Sequence, residues 1–189
     1  MHQVFLEGEI VNLRPYTFAD RDKVIQLRNS GRGQYFLNQG FASTIETQIE
    51  WEKGYFAREN DFYWIIECKE TKDIIGTTAL YDITSDKAEK GRLIVDEDKS
   101  LRKPYVLEAE LLIIKYAFEK LKIHQLITRT KLDNEKMKSI NKRFGFIKTG
   151  ECKVNREVYE IFNLEGYHPD SLLKYQSLVI KWSKREEKK

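Results

Sequence analysis

The chain has 189 residues, 41% of them hydrophobic, which suffices for one domain with a sizeable core. Its 33 basic and 30 acidic residues leave a net charge of only +3, so composition gives no general case for nucleic-acid binding. No apolar run reaches transmembrane length, and the first residues lack the basic start and long apolar middle of a signal peptide. We therefore expect a soluble, cytoplasmic protein without a membrane or nucleic-acid partner, whose basic stretch Lys181–Lys189 is a solvated end.

The cysteine and histidine residues do not follow a metal-binding pattern. Cys68 and Cys152 lie far apart, and His2, His124 and His168 are scattered along the chain. We predict free thiols rather than a disulfide, no metal site, and no nucleophilic His–Cys pair.

The first part of the sequence alternates between strand and helix patterns. The predicted elements are a strand at Glu9–Arg14, a helix capped by Thr17, a second helix from Ser43 or Thr44, and hairpin strands at 62–68 and 74–83. Thr17 and Asp20 have the spacing of a capping box, and Gly76 marks either a β-bulge or a point where another strand passes closely. The aromatic-rich stretch 34–42 predicts no regular element, and its rings are expected either to shape an acceptor pocket or to pack on the core.

The stretch 91–121 predicts a strand that leads into a long helix. The strand Arg92–Val95 carries three consecutive apolar residues after Arg92. The helix begins at Pro104, because the N–H that proline lacks would be unpaired there anyway. The apolar face of the helix repeats at steps of three and four, at Leu107, Leu111, Ile114, Phe118 and Leu121. A helix N-terminus that follows a strand can bind an anion, since free N–H groups and the positive dipole end coincide. The alternative is an ordinary strand–turn–helix with solvated charges.

The rest of the chain completes a mixed α/β pattern. The predicted elements are a strand at Ile123–Thr130, a short helix capped by Asp133 or Asn134, strands at Phe146–Cys152 and Glu157–Leu164, and a closing helix at Ser171–Lys184. This order predicts an α/β fold with a mixed, mostly antiparallel sheet of about six or seven strands and helices on both faces. Because no linker or repeat is present, we expect a single domain over 1–189, with its core at 9–164 and a C-terminal helix at 171–184.

Several short motifs occur in an order that is typical of one enzyme family. Lys103, Tyr105, Glu108 and Ala109 lie at the strand–helix junction, and Asn134 precedes Phe144-Gly145-Phe146 with the spacing N-x(9)-F-G-F. Near the N-terminus stand Asn12-Leu13-Arg14-Pro15 and Leu27-Arg28-Asn29. Over roughly residues 9–164 this order resembles the GNAT superfamily of N-acetyltransferases, in particular the branch that acetylates ribosomal-protein N-termini or nucleotide-linked amino sugars.

The resemblance implies acetyl-CoA as a co-substrate, bound at the junction between the strand and the helix. The residues that it assigns to this site are Leu93, Ile94, Val95, Arg102, Lys103, Tyr105, Val106 and Asn134. Family members usually carry glycines where Arg102 and Pro104 stand here. Since Pro104 removes one N–H donor, the pyrophosphate would depend more on the remaining amides and on Arg102 and Lys103. Asn134 could hold the pantetheine amides, cap its helix, or do both.

Acetyl transfer to an amine also needs a base, because an ammonium has no lone pair. Glu89 precedes Gly91 by two residues and shares its side of the strand if the extended pattern reaches back that far. Many relatives place a Glu there, so the resemblance implies Glu89 as the base; the alternative is a turn carboxylate paired with Lys87 or Lys90. A backbone N–H near Leu93–Val95 would stabilise the negative oxygen that develops on the thioester carbonyl.

The departing thiolate lacks the proton donor that relatives supply. Many use a Tyr where Asn141 stands in this sequence, and some use a Ser where Met137 stands. Asn141 could hydrogen-bond a thiolate but cannot protonate it, and a purely structural role is the alternative. Water, Tyr81 or Tyr105 would then have to complete the step.

The acceptor is predicted from the same resemblance. The helix end at Leu27–Asn29 and the aromatic segment up to Phe41 are similar to bacterial transferases that act on nucleotide-linked amino sugars. Arg28 or Arg32 could meet a phosphate, and Arg28, Asn29 and Tyr81 are the predicted acceptor-binding residues. A peptide N-terminus is the second acceptor class, and a non-catalytic ligand- or partner-binding member of the fold is the third hypothesis. A homodimer is compatible with all three.

Overall fold

The computed structural model describes residues 4–37, 40–101 and 103–186 and contains one eight-stranded sheet. The strands are β1 (Leu6–Glu7), β2 (Val11–Pro15), β3 (Phe62–Cys68), β4 (Ile74–Tyr81), β5 (Lys87–Val95), β6 (Gln125–Lys131), β7 (Ile147–Val154) and β8 (Glu157–Glu165). Their order is β1-β2-β3-β4-β5-β6-β8-β7, and every neighbouring pair is antiparallel except β5 and β6, which are parallel. The predicted mixed, mostly antiparallel sheet is confirmed. It has one strand more than expected, because β1 is too short to show an alternating pattern.

Helices cover both faces of the sheet, as the sequence predicts. They are α1 (Arg21–Asn29), α2 (Gly31–Phe36), α3 (Ile45–Phe56), α4 (Glu97–Ser100), α5 (Tyr105–Lys115), α6 (Glu135–Arg143) and α7 (Pro169–Glu186), with a 3-10 turn before α1 and a π-helical turn after α5. Trp64 packs in the core under α5 and α7, whereas its neighbour Ile65 packs in the core that includes Val24 of α1 and Tyr55 of α3. Within the described residues, no helix is long and apolar enough to cross a membrane.

Two short elements differ from the sequence prediction for identifiable reasons. Helix α2 overlaps the stretch 34–42, for which no regular element is predicted, because the Ser30 hydroxyl accepts a hydrogen bond from the Gly33 N–H and caps the helix. Gly33 is needed there because a Cβ would lie 2.3 Å from the Leu27 carbonyl oxygen. Strand β5 begins at Lys87, before the strand predicted at Arg92–Val95, because Glu89 and Lys90 are buried charges that break the apolar alternation.

The parallel strands β5 and β6 pair over only a short distance. Their register runs from Lys87↔Gln125 to Glu89↔Ile127, and no pair follows among the described residues. Beyond this point β5 stays paired with β4 as far as Val95, and β6 stays paired with β8 as far as Lys131. The two strands therefore diverge, and a wedge-shaped cleft opens between them.

A β-bulge lies in β5 just beyond the point of divergence. Thr77 pairs with Ile94 and Ala79 with Gly91, so two β5 residues, Arg92 and Leu93, stand opposite one residue of β4. Arg92 adopts φ 53°, which is the left-handed region. Such a bulge rotates the local backbone and re-aims its N–H groups. The predicted close approach at Gly76 is also present, since a Cβ there would lie 2.1 Å from the Ile94 carbonyl oxygen.

Candidate active site

The divergence of β5 and β6 creates an open cleft between the two strands. Five of the residues predicted to bind acetyl-CoA line it, namely Leu93, Ile94, Val95, Val106 and Asn134. The same cleft is lined by Thr128–Lys131 from β6, by Met137 and Ile140 from α6, and by residues of α2. The structure therefore brings together elements that are far apart in sequence around the predicted strand–helix junction.

The composition of this cleft fits a long, phosphorylated ligand that carries amide groups. Within the part of the chain that the structure describes, the β5 backbone beyond Glu89 has no strand partner on its β6 side, so an extended amide chain can pair with it. Val106 lies in the first turn of α5, where N–H groups lack intrahelical acceptors and favour an anion. Six basic and two acidic side chains belong to the lining, at Arg32, Lys90, Arg92, Arg129, Lys131, Lys136, Glu97 and Glu110. These features fit acetyl-CoA.

Three predicted cofactor residues lie elsewhere or outside the description. Arg102 is outside the described residues. Tyr105 is buried in the core, where its hydroxyl lies 3.4 Å from the Cys68 Sγ and its ring packs edge-on against Trp182. The Lys103 ammonium donates to the same Tyr105 hydroxyl at 3.3 Å. The structure therefore does not bring Lys103 and Tyr105 into the cleft lining, because the apolar ring at the start of α5 packs inward.

Asn134 caps helix α6 and also borders the cleft. Its side-chain oxygen accepts a hydrogen bond from the Met137 N–H at 3.2 Å, which makes it the N-cap of α6. Its position in the cleft wall leaves the predicted second role, contact with the pantetheine arm, geometrically open. Both roles are compatible with its placement.

Glu89, the predicted base, is the last paired residue of β5 before the strands diverge, and its side chain is 7% exposed. Its carboxylate accepts a hydrogen bond from the Tyr81 hydroxyl at 2.7 Å and lies 3.0 Å from the Arg129 guanidinium. The alternative partners Lys87 and Lys90 do not form this pair. Burial raises the pKa of Glu89 above its ordinary value, and the Tyr81 hydrogen bond and the Arg129 charge oppose that rise. Burial and the adjacent carboxylate likewise raise the pKa of Tyr81.

Glu89 and its neighbours face the α1/α3 side of the sheet. Tyr81 packs against the core on that side, and a Cβ at Gly91 would point at the Tyr81 hydroxyl, 2.8 Å away. The Arg92 guanidinium lies over the Tyr81 ring at 4.2 Å and forms an ion pair with Asp61 at 2.8 Å. A buried carboxylate with tyrosine and arginine beside it can accept a proton from a substrate that carries negative charge elsewhere.

The predicted acceptor residues Arg28 and Asn29 lie at the end of α1, outside the cleft lining. The Asn29 amide donates to the Ser43 carbonyl at 2.8 Å and accepts from the Ser43 N–H at 2.7 Å. Arg28 Nε donates to the Ser43 hydroxyl at 3.3 Å. These contacts hold the segment before α3 against α1. Of the predicted acceptor residues, the structure brings only Tyr81 next to Glu89.

Helix α2 borders the cleft and contacts both of its sides. The Arg32 guanidinium forms an ion pair with Glu97 at 2.6 Å, on the β5 side. On the β6 side, the Tyr35 hydroxyl donates to Asp133, and the Lys131 ammonium lies 3.5 Å from the centre of the Tyr35 ring. The aromatic segment therefore connects the two edges of the cleft.

Asn141 is completely buried, and both ends of its amide are engaged. The oxygen accepts from the Lys90 ammonium at 3.2 Å, and the nitrogen donates to the Thr130 hydroxyl at 3.0 Å. This geometry favours the structural alternative for Asn141. The sequence prediction missed Lys90, Glu110 and Arg129. Each of these is a charged residue within an otherwise inward-facing strand or helix pattern, and this signal could have identified them.

Two comparisons with known proteins agree with this geometry. A family model described as an acetyltransferase (GNAT) domain matches residues 11–147, which is well over half of the chain. Among solved structures, a GCN5-related N-acetyltransferase from Brucella melitensis has a TM-score of 0.75 at 17% identity, covering 97% of this chain and 86% of that one.

Two further structures have the same fold with different substrates in their descriptions. FdhC, described as a nucleotide-linked sugar GNAT, has a TM-score of 0.73 at 24% identity, with 96% of this chain and 97% of that chain covered. A spermidine N-acetyltransferase from Vibrio cholerae, in complex with CoA and spermine, has a TM-score of 0.74 at 15% identity, covering 84% and 96%. At these identities the likeness establishes the fold.

Proposed function

Because the chain belongs to the GNAT acetyltransferase family and is an acetyl-CoA-dependent N-acetyltransferase, we propose that its acceptor is the primary amine of a nucleotide-linked amino sugar and that Glu89 is the base. The observation that carries the proposal is the cluster at the closed end of the cleft. There the buried Glu89 carboxylate lies beside the guanidinium groups of Arg92 and Arg129. The base can take a proton from the amine while the cations attract a phosphorylated substrate.

In this mechanism the chain supplies a base, backbone donors and a dry site. Glu89 accepts the proton that the attacking amine gives up, and the nitrogen forms its bond to the acetyl carbon. The bulge at Arg92–Leu93 re-aims N–H groups of β5 at the closed end of the cleft, where they stabilise the negative oxygen that develops on the carbonyl. Burial of Glu89 keeps water from solvating the carboxylate and strengthens it as a base.

The charge of the cleft favours a nucleotide sugar over a polyamine. A polyamine is itself a polycation, and the two acidic lining residues, Glu97 and Glu110, are already ion-paired with Arg32 and Lys90. The likeness to FdhC over nearly the whole chain supports the same acceptor class. A peptide N-terminus remains the competing acceptor, because it needs the same base and no polycation site.

The test compares acceptors and removes the base. We expect turnover of UDP-linked amino sugars that exceeds turnover of spermidine and of N-terminal peptides. Glu89→Gln should lower kcat by roughly 10²- to 10⁴-fold and leave acetyl-CoA affinity unchanged, since the amide cannot accept the proton. Glu151→Gln, on the exposed face of β7, is the matched control. Activity on peptides alone would reject the amino-sugar acceptor, and an unimpaired Glu89→Gln variant would reject the base.

A further inference from the structure

We infer that Lys90 is the acid of the reaction and that its ammonium group protonates the sulfur of CoA as it departs. The inference rests on the proposed function of the cleft, because it requires the thioester to lie beside Glu89. It fills a gap in the mechanism, since a base alone leaves the departing thiolate without a proton.

The position of Lys90 on β5 places it across the strand from the base. Consecutive residues of a strand point to opposite faces. Glu89 faces Tyr81 on the α1/α3 side, and Lys90 faces Glu110 of α5 and Asn141 of α6 on the other side. Both stand where β5 and β6 stop pairing, at the closed end of the cleft. A carbonyl carbon held there has the base on one side and the ammonium on the other.

Lys90 belongs to a buried polar cluster in the cleft wall. Its Nζ lies 2.5 Å from the Glu110 Oε2, and both side chains are 2% exposed. Nζ also donates to Asn141 at 3.2 Å and lies 4.9 Å from the centre of the Phe146 ring. Lys90 and Glu110 both line the cleft. Among the described residues of the packed helices, the charged group that pairs with the ammonium is the Glu110 carboxylate.

This cluster has hydrogen-bonding capacity left for a ligand. An ammonium carries three donors, and among the described residues the contact with Asn141 is its one hydrogen bond of good geometry. Glu110 Oε2 lies close to the Lys90 Nζ but makes no hydrogen bond of good geometry with any described residue. The contact between the two groups is therefore a short ion pair. Buried ion pairs contribute little net stability compared with apolar replacements. A catalytic role gives a reason for keeping this one.

The other side chains of the cleft do not offer an equivalent acid. The described lining contains no Tyr, His or Cys, and its other lysines are Lys131 and Lys136. Lys131 contacts Tyr35 of α2 near the edge of the cleft, and Lys136 lies in the first turn of α6. Of the three ammonium groups, that of Lys90 is the one next to Glu89 in the strand.

The proton and electron balance of the step is complete. The amine nitrogen forms the bond to the acetyl carbon, its proton passes to Glu89, and the carbon–sulfur bond breaks with its electron pair on sulfur. The Lys90 ammonium transfers a proton to that sulfur, which leaves CoA as the thiol. Lys90 then regains a proton from solvent and Glu89 releases one to solvent, so the products are the amide and CoA.

The experiment measures the pKa of the CoA thiol in its complex with the full chain, from the ultraviolet absorbance of the thiolate across pH. We expect the wild type to lower that pKa by about one unit or more relative to free CoA, because a cation close to the sulfur favours the thiolate. The apolar pair Lys90→Met/Glu110→Leu removes both charges together, which avoids an unpaired buried carboxylate. In this variant the pKa should return to that of free CoA, and kcat should fall roughly 10²-fold.

Two further variants separate the acid role from a structural one. Lys90→Arg keeps the positive charge but holds its proton, so it should retain the lowered thiol pKa while kcat falls. Lys138→Met/Glu160→Gln removes a pair on α6 and β8 that does not line the cleft, and should leave both readouts as in the wild type.

Equal thiol pKa values in the wild type and the apolar variant, or equal kcat values, would overturn the role of Lys90. The proposed acceptor is tested separately from the role of Lys90. A lowered thiol pKa that the apolar variant loses, without turnover of any amino-sugar nucleotide, would reject the acceptor and still place the Lys90 ammonium beside the sulfur.

Discussion

Glu89, the proposed base, is subject to burial and to two polar neighbours, which shift its pKa in opposite directions. Burial disfavours its charged form and raises its pKa above the ordinary value of 4.5, while Tyr81 and Arg129 favour the charged form. A carboxylate with a raised pKa accepts a proton more readily once it is ionised. The cost is that activity requires a pH above that raised pKa.

Removing the Arg129 charge tests this balance. In Arg129→Gln the pKa of Glu89 should rise further, so a smaller fraction is ionised at a given pH and the acid limb of kcat/KM moves to higher pH. We expect a displacement of roughly half a unit, because Arg129 is half exposed and its charge is screened by solvent. Arg156→Gln, in the exposed turn between β7 and β8, controls for the loss of net charge. An acid limb that stays in place, or moves to lower pH, would contradict the pairing of Glu89 with Arg129.

At the scale of elements, α5 is fastened to the start of the sheet by one side chain. The Glu108 carboxylate accepts backbone hydrogen bonds from Glu9 at 2.6 Å and from Ile10 and Val11 at 2.8 Å each. Glu9 and Ile10 lie in the bend that leads into β2, Val11 is the first residue of β2, and Glu108 is 5% exposed. Glu108, which belongs to the motif at the strand–helix junction, therefore fixes the position of α5 relative to the sheet. It thereby also fixes the position of the α5 N-terminus at the cleft.

Glu108→Ala should lower the free energy of unfolding by about 3 kcal/mol, because it leaves buried N–H donors without an acceptor. Urea denaturation of the two proteins measures the difference. Glu50→Ala on α3 removes an exposed carboxylate with a surface ion pair and should change the value by less than about 0.5 kcal/mol. Losses of the same size in both variants would show that Glu108 does not fasten the helix.

At the scale of the whole molecule, the sequence predicts most strands and helices because their apolar residues alternate or repeat. It fails where tertiary contacts override that pattern. Strand β5 starts earlier than predicted because the buried side chains of Glu89 and Lys90 find partners on β6, α5 and α6. The Lys90–Asn141 hydrogen bond, for example, joins residues that are 51 positions apart. Helix α2 forms because Ser30 supplies a cap that outweighs its glycines.

The cleft itself is a property of the assembled sheet. The order of motifs in the sequence predicts that residues 93–95 line the cleft. The divergence of β5 from β6, in contrast, depends on the other strand with which each of them pairs. The bulge at Arg92 leaves no signature in the residue types, since an arginine at positive φ is held there by Asp61 and Tyr81. Residues that are distant in sequence complete the site only after folding.

Calorimetric titration with acetyl-CoA tests the central claim, that this cleft is the co-substrate site. We expect saturable binding of one acetyl-CoA per chain to the wild type. Affinity should fall by roughly tenfold or more in Val106→Trp, whose indole fills the cleft at the start of α5, and should be retained in Ile147→Trp on exposed β7. Absence of binding at submillimolar acetyl-CoA, or equal affinities of the wild type and the folded Val106→Trp variant, would contradict the account.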